Sequence, residues 1–330
     1  MSTRYLVTGG AGFIGSHLVE ALLDRGDAVV VLDDCSTGSL DNLAAVANHP
    51  GLQMVHGSVC DALVVDECVA QVDAIIHLAA AVGVMRILER RVQGIMVNLR
   101  GAEVLLQAAC MHGRLPLFLA SSSEVYGKGI GERFAEDDDC VLGPTSRHRW
   151  SYACSKAMDE FLALAYHHER DLPVRIARFF NITGPRQSPF YGMVLPRFCA
   201  AALRGEAVQV YGDGQQSRCF LHVRDAVAAI MAMLDCPDTI GQVVNVGSAQ
   251  EVTIADLAQA VVERAGSEGG VAHVPYEEAY PGGGFEDLRR RAPDVSRLQR
   301  LTAWHQSIDL DGIIDDCLEA ERHGRQAASQ

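Results

Sequence analysis

The chain has 330 residues, 48% of them hydrophobic, and a formal net charge of −14. That length and composition suit a globular α/β protein with one large or two smaller cores, and they exclude a disordered chain. The acidic balance argues against a nucleic-acid partner, no apolar run reaches the ~18 residues of a membrane span, and a local arginine cluster could still receive an anionic small molecule.

The N-terminus, MSTRYLVTGG, runs directly into a strand and leaves no room for a signal peptide, so a cytoplasmic protein is expected. The first half then alternates strand and helix. RYLVTG is a buried strand, FIGSHLVEALLDRG a helix and AVVVLDD a second strand. LQMVHGSVCD holds a third strand and VDAIIHLAA a fourth. A helix follows through IMVNLRGAEVLLQAACMHG, then the strand PLFLASSS, the helix WSYACSKAMDEFLALAYHHER and the strand PVRIARFFN. Short apolar strands alternating with amphipathic helices predict a parallel sheet covered on both faces, a doubly wound α/β fold. Beyond residue 180 the pattern loosens. NITGPRQSPFYG reads as loop, LPRFCAAALRG as helix, VQVYGDGQQSRCFLHV as strand, turn and strand, RDAVAAIMAML as helix and QVVNVG as strand. The expected division is a doubly wound domain over 1–180 and a smaller mixed α/β domain over 181–330, with 219–248 packing back on the first. The tail RQAASQ reads as frayed.

The ten cysteines form no CxxC pair and read as small buried hydrophobes, so neither disulfides nor a metal site is expected. Only Lys128 and Lys156 among the 28 basic residues are lysine. A lysine kept in so arginine-rich a chain suggests a need for a compact ammonium.

VTGGAGFIGSH places Gly9, Gly12 and Gly15 between a strand and a helix. Gly9 permits a tight turn, Gly12 lets the backbone approach a pyrophosphate, and Gly15 allows close packing of the helix. The helix N-terminus offers N–H groups and a partial positive charge to phosphates. Asp33 closes the second strand, where a carboxylate accepts from a ribose 2′-hydroxyl and repels a 2′-phosphate. A Rossmann-type domain that binds NAD rather than NADP is expected. YACSK sets Tyr152 and Lys156 on one helix face. An ammonium and the positive nicotinamide ring would favour the phenolate and let Tyr152 act as a base.

These segments, with HLAA, SSSEVYG, RFFNITGPRQ, YGDGQQSRCFLHVRD and RRRAPD, resemble the extended short-chain dehydrogenase/reductases of the nucleotide-sugar epimerase/dehydratase group over nearly the whole chain. The resemblance implies NAD as cofactor and a nucleotide-diphosphate sugar, with UDP as the expected nucleotide, oxidised at C4. Tyr152 would take the hydroxyl proton, Ser122 would hydrogen-bond the same oxygen, and Lys156 would hold the cofactor ribose. The resemblance also places Phe13, Ile14, Asp61, Ala79 and Asn98 at the cofactor, and Ser123, Asn181, Arg218 and Arg291 at the substrate. The helices near 95–112 and 150–168 correspond to a pair that builds a homodimer in related enzymes.

Glu124 bears on the fate of the 4-keto intermediate. Simple epimerases of the group usually have a small neutral residue there. Their 4,6-dehydratases tend to carry an Asp-Glu pair, but Ser123 stands at the Asp position. The decarboxylases carry Ser-Glu, as here, and an arginine matching Arg291. Glu124 joins the catalytic set on that resemblance, and UDP-glucuronate decarboxylation is the expected reaction. C4 epimerisation is the alternative, followed by dehydration and by a non-catalytic NAD-binding protein. Two departures stand out: AVGVMRILE differs from known decarboxylase loops, and ERRVQG replaces a frequent proline segment before the Asn98 helix.

Overall fold

The computed structural model describes residues 2–81, 91–129, 131–188, 193–279 and 289–328. The loop AVGVMRILE therefore lies, apart from Ala81, outside the described residues.

Seven parallel strands form the main sheet: β1 (Arg4–Thr8), β2 (Ala28–Asp33), β3 (Leu52–His56), β4 (Ala74–His77), β5 (Leu117–Ser122), β6 (Val174–Phe179) and, from the second half, β11 (Val243–Val246). Their spatial order is β11-β6-β5-β4-β1-β2-β3. The strands read as near-continuous apolar runs because helices cover both faces. One face carries α1 (Phe13–Asp24) and α6 (Val223–Asp235), with Leu18, Leu22, Val31, Ile230 and Met233 in one core cluster. The other carries α2 (Ala62–Val69), α3 (Arg91–Met111) and α4 (Trp150–Arg170), with Leu6, Val65, Leu105, Ile75 and Ala163 in a second. Each such fully buried aliphatic side chain contributes about 1.5–3 kcal/mol relative to exposure.

Strand order reverses between β1 and β4, and the register Thr8↔His77 brings their C-terminal ends level. That reversal opens a crevice at the carboxyl edge, the usual seat of ligands in open α/β sheets. Ser122 pairs in register with Phe179 at the same edge.

Helices α5 (Val194–Leu203), α7 (Ile254–Ala265) and α10 (Leu310–Ala328) build a third core around Phe198, Leu257 and Ile313. Small sheets flank it. The expected strand, turn and strand are present as β8 (Val208–Tyr211) and β9 (Ser217–Cys219). β8 pairs with β13 (Val271–Val274), while β9 lies between β12 (Glu251–Thr253) and β14 (Arg290–Arg291). The third strand occupies Leu52–His56 within LQMVHGSVCD, and α2, which the apolar pattern did not suggest, begins at Ala62. The last helix runs to Ala328 where a frayed tail was expected.

Candidate active site

The glycine loop links β1 to α1. Gly9 has φ +73°, and a Cβ there would lie 2.7 Å from the Ala79 backbone nitrogen. A Cβ on Gly15 would meet the Gly9 carbonyl oxygen at 2.1 Å. Any side chain at either position would force the turn apart. Gly12 is the N-cap of α1, and no side chain caps that terminus, so its N–H groups point to the crevice without a side-chain acceptor. Phe13 and Ile14 form the first turn behind it.

Asp33 lies beside this loop and is buried. Its Oδ2 accepts from Ala11 N at 2.9 Å and its Oδ1 from Cys35 N at 2.8 Å. Burial pushes its carboxyl up, against those two N–H bonds. Each oxygen keeps a lone pair for a further donor. Asp61 is the N-cap of α2, its Oδ1 accepting from Leu63 N and Val64 N. Asn98 is tied into the fold: its Oδ1 accepts from Ala81 N, and its Nδ2 donates to Ser155 Oγ, leaving a second N–H on Nδ2. It ties the end of β4 to α4.

Ser122 ends β5 and caps a 3-10 turn over Ser123–Tyr126, accepting from Glu124 N at 3.2 Å. Its hydroxyl also acts on the Tyr152 phenol, lowering the phenol's pKa. Tyr152 stands on the first turn of α4 and lines a pocket with Ala81, Gly94, Asn98 and Ser155. Burial pushes its phenol well above the ordinary tyrosine range, the Glu124 charge adds to this, and the Ser122 hydroxyl opposes it. One turn on, Lys156 is buried with its Nζ 3.2 Å from Asp159 Oδ2. His77, at the end of β4, is held neutral: burial and then the Lys156 charge push its pKa down to about 3.

Glu124 sits among arginines. Arg291 Nη1 donates to its Oε1 at 2.6 Å, and Arg149 Nη2 lies 3.6 Å from its Oε2. Arg218 lies beside Arg291 because β14 and β9 pair Arg291↔Arg218. Burial opposes the Glu124 charge, but Arg291, Arg149 and Arg218 outweigh it and hold the carboxyl below its usual range. Ser123 is buried under this turn, and Asn181, at φ +39°, donates through Nδ2 to the Cys219 carbonyl at 2.8 Å.

Ser122, Glu124, Tyr152, Lys156 and Arg291 thus come together at the carboxyl edge, next to the glycine loop and Asp33. Asp61 stands apart at the start of α2. Sequence reasoning did not single out Arg149 and Asp159, although RHRW precedes the Tyr152–Lys156 motif and AMDE follows it. It also missed the support beneath the site. Glu160 pairs with Arg178 at 2.7 Å, both buried, and accepts from Ser121 Oγ. Arg178 lies 4.6 Å over the Tyr126 ring, and Tyr126 donates to Asn245. This network fixes α4 against β5, β6 and β11.

Comparison with known proteins agrees with this fold. The profile of the NAD dependent epimerase/dehydratase family matches residues 5–247. The chain is 42% identical over 321 residues to the UDP-N-acetyl-alpha-D-glucosaminuronate decarboxylase of Bacillus cytotoxicus, covering 97% of this chain and 98% of that one. It superposes with a TM-score of 0.86 at 30% identity on a dTDP-glucose 4,6-dehydratase from Streptomyces venezuelae solved with NAD, covering 99% of this chain and 98% of that one. A UDP-glucose 4-epimerase from Thermus thermophilus, also with NAD, gives 0.84 at 30% identity, covering 97% and 99%. With the glycine loop, the buried Asp33 and the Ser122–Tyr152–Lys156 constellation in place, the chain belongs to the NAD dependent epimerase/dehydratase family.

Proposed function

We propose that this protein acts on a nucleotide-diphosphate sugar through a 4-keto intermediate, and that the reaction is decarboxylation of a nucleotide-linked uronate. NAD would sit between the glycine loop and Asp33 and supply the hydride acceptor. Tyr152 would accept the C4 hydroxyl proton, with Ser122 holding the same oxygen. Oxidation at C4 makes the uronate a β-keto acid, which loses CO2 readily.

Glu124 carries the choice of reaction. A carboxylate fixed beside the base by Arg291 and Arg149 has no task in simple epimerisation. Dehydration needs a proton donor for the leaving hydroxyl. Ser123 has no acidic proton to give, and Glu124 is held ionised. Arg149, Arg218 and Arg291 gather around this one carboxylate, a setting suited to an anionic sugar and its diphosphate. The similarity to a glucosaminuronate decarboxylase supports the same reading. C4 epimerisation is the second reading, supported by the likeness to the Thermus epimerase.

The test uses NAD-loaded protein with UDP-glucuronate and, in parallel, UDP-N-acetylglucosaminuronate, followed by proton NMR. Loss of the carboxylate with appearance of a pentose or 4-keto-pentose is expected. A uronate product with inverted C4 would assign epimerisation instead.

The protein is further proposed to be a homodimer. Val92 and Met96 on α3 and Met158 and Phe161 on α4 are 77%, 54%, 52% and 70% exposed. The two helices pack side by side, so these residues offer an apolar face suited to a second copy. Among the described residues no helix is long and apolar enough to cross a membrane. Light scattering after chromatography should give twice the chain mass for the wild type, and the single chain mass for Phe161→Arg.

A further inference from the structure

Tyr152, Lys156 and Asp159 occupy positions i, i+4 and i+7 of α4 and share one face. Lys156 and Asp159 form an ion pair with both side chains almost fully buried, at 2% and 1% exposure. The pair is held at one end only. Asp159 Oδ2 meets Lys156 Nζ, while Oδ1 is buried with no hydrogen-bond partner among the described residues. A buried carboxylate oxygen without a donor is costly, so its position calls for an explanation.

The other charged groups nearby are committed elsewhere. Glu160, the next residue, turns the opposite way to Arg178 and Ser121. Glu124 is held by Arg291 and Arg149. His77, facing the site from β4, is neutral, with its Nδ1 2.7 Å from Thr8 Oγ1. Lys156 is the cation one helical turn from Tyr152, and Asp159 is the carboxylate that meets it. A carboxylate this close, away from water, cancels much of the ammonium's field at a neighbouring phenol.

We propose that Asp159 is a positioning residue of the Tyr152–Lys156 pair, holding the Lys156 ammonium in its buried seat and cancelling part of the charge on which Tyr152 depends to release its proton. This rests on Tyr152 being the base. The Asp159 charge also acts directly against the phenolate, in the same direction as Glu124. Asp159 therefore works as a brake: it keeps Tyr152 protonated until further positive charge reaches the pocket.

The test reads Tyr152 ionisation without any sugar. In the NAD-loaded protein, tyrosinate ultraviolet absorbance is titrated against pH, and the curve of the corresponding Tyr152→Phe protein is subtracted. In Asp159→Asn the Tyr152 midpoint should fall by about 1 pH unit, because a like charge has been removed from beside the phenolate. Asp159→Ser, which removes the same charge with a smaller side chain, should shift it the same way and covers a folding failure of the Asn variant. An unmoved midpoint in a folded variant overturns the proposal. So does a raised one, which would mean that Lys156 gives up its proton once its partner is gone. A wild-type Tyr152 midpoint that is no lower with NAD bound than without it would instead refute Tyr152 as the base, an outcome distinct from an unmoved midpoint in the Asp159 variants.

Discussion

Replacing Tyr152 with Phe should lower turnover by about 10³-fold while NAD binding stays within a few-fold of wild type, since a positioned acid–base group contributes roughly 10²–10⁴ in rate. The phenol ring packs in α4 and Phe keeps that packing, so folding should be little affected. What is lost is the hydroxyl whose phenolate, on the proposed function, would accept the substrate proton. Burial and the Glu124 charge push the phenol pKa up, so Tyr152 is protonated at neutral pH in the cofactor-free protein. Proton transfer at useful rates then requires positive charge near the ring, which Lys156 and bound NAD would supply. The measurement is single-turnover product formation together with calorimetric NAD binding. An equal loss of NAD affinity would make Tyr152 a cofactor-binding residue rather than the base.

The sheet and the catalytic motif were legible because both are local. Apolar strand runs, the glycine turn and the four-residue spacing of Tyr152 and Lys156 are patterns of neighbours in sequence. The arginine cluster was legible only in part. Arg291 was named from its resemblance, but its contact is with Glu124, 167 residues away. That contact exists because β14 pairs in parallel with β9, a long-range pairing that no periodicity encodes. The same holds for β8, which pairs with the distant β13. Helix α2 was missed for another reason. Its cap, Asp61, sits in SVCD, which reads as the end of a strand, and the helix itself is only eight residues long. Arg178 and Asn245 lie inside strands that otherwise read as apolar core, and their partners Glu160 and Tyr126 come from other elements. A polar residue within a buried strand shows that a partner is needed without saying which one.

Replacing Arg291 with Met should cost about 2 kcal/mol near neutral pH, below the 3–5 kcal/mol of a fully buried pair because Glu124 keeps Arg149 and some solvent contact. The pH dependence identifies the cause. In the wild type the Glu124 carboxyl is held below its ordinary value of 4.5: burial opposes the charge, and the Arg291 charge and hydrogen bond, with Arg149 and Arg218, outweigh it. A carboxyl with a depressed folded-state pKa stabilises the fold above the unfolded value, and that stability disappears as pH falls through the folded-state value. Glu124 should therefore contribute fully at pH 6 and above, by about two pH units over the unfolded carboxylate value, and lose its contribution on acidification. Without Arg291 the burial penalty weighs more heavily, the folded-state pKa rises, and the gain above the carboxylate range shrinks. Melting temperatures of wild type and Arg291→Met should thus lie far apart at neutral pH and converge in acid. Adding Glu124→Gln to Arg291→Met should recover part of the loss, because no buried charge is then left short of its partner. Parallel melting curves across the whole range would show that Arg291 stabilises the fold by packing alone, and the Glu124–Arg291 pair would lose its place as the charged centre of the site.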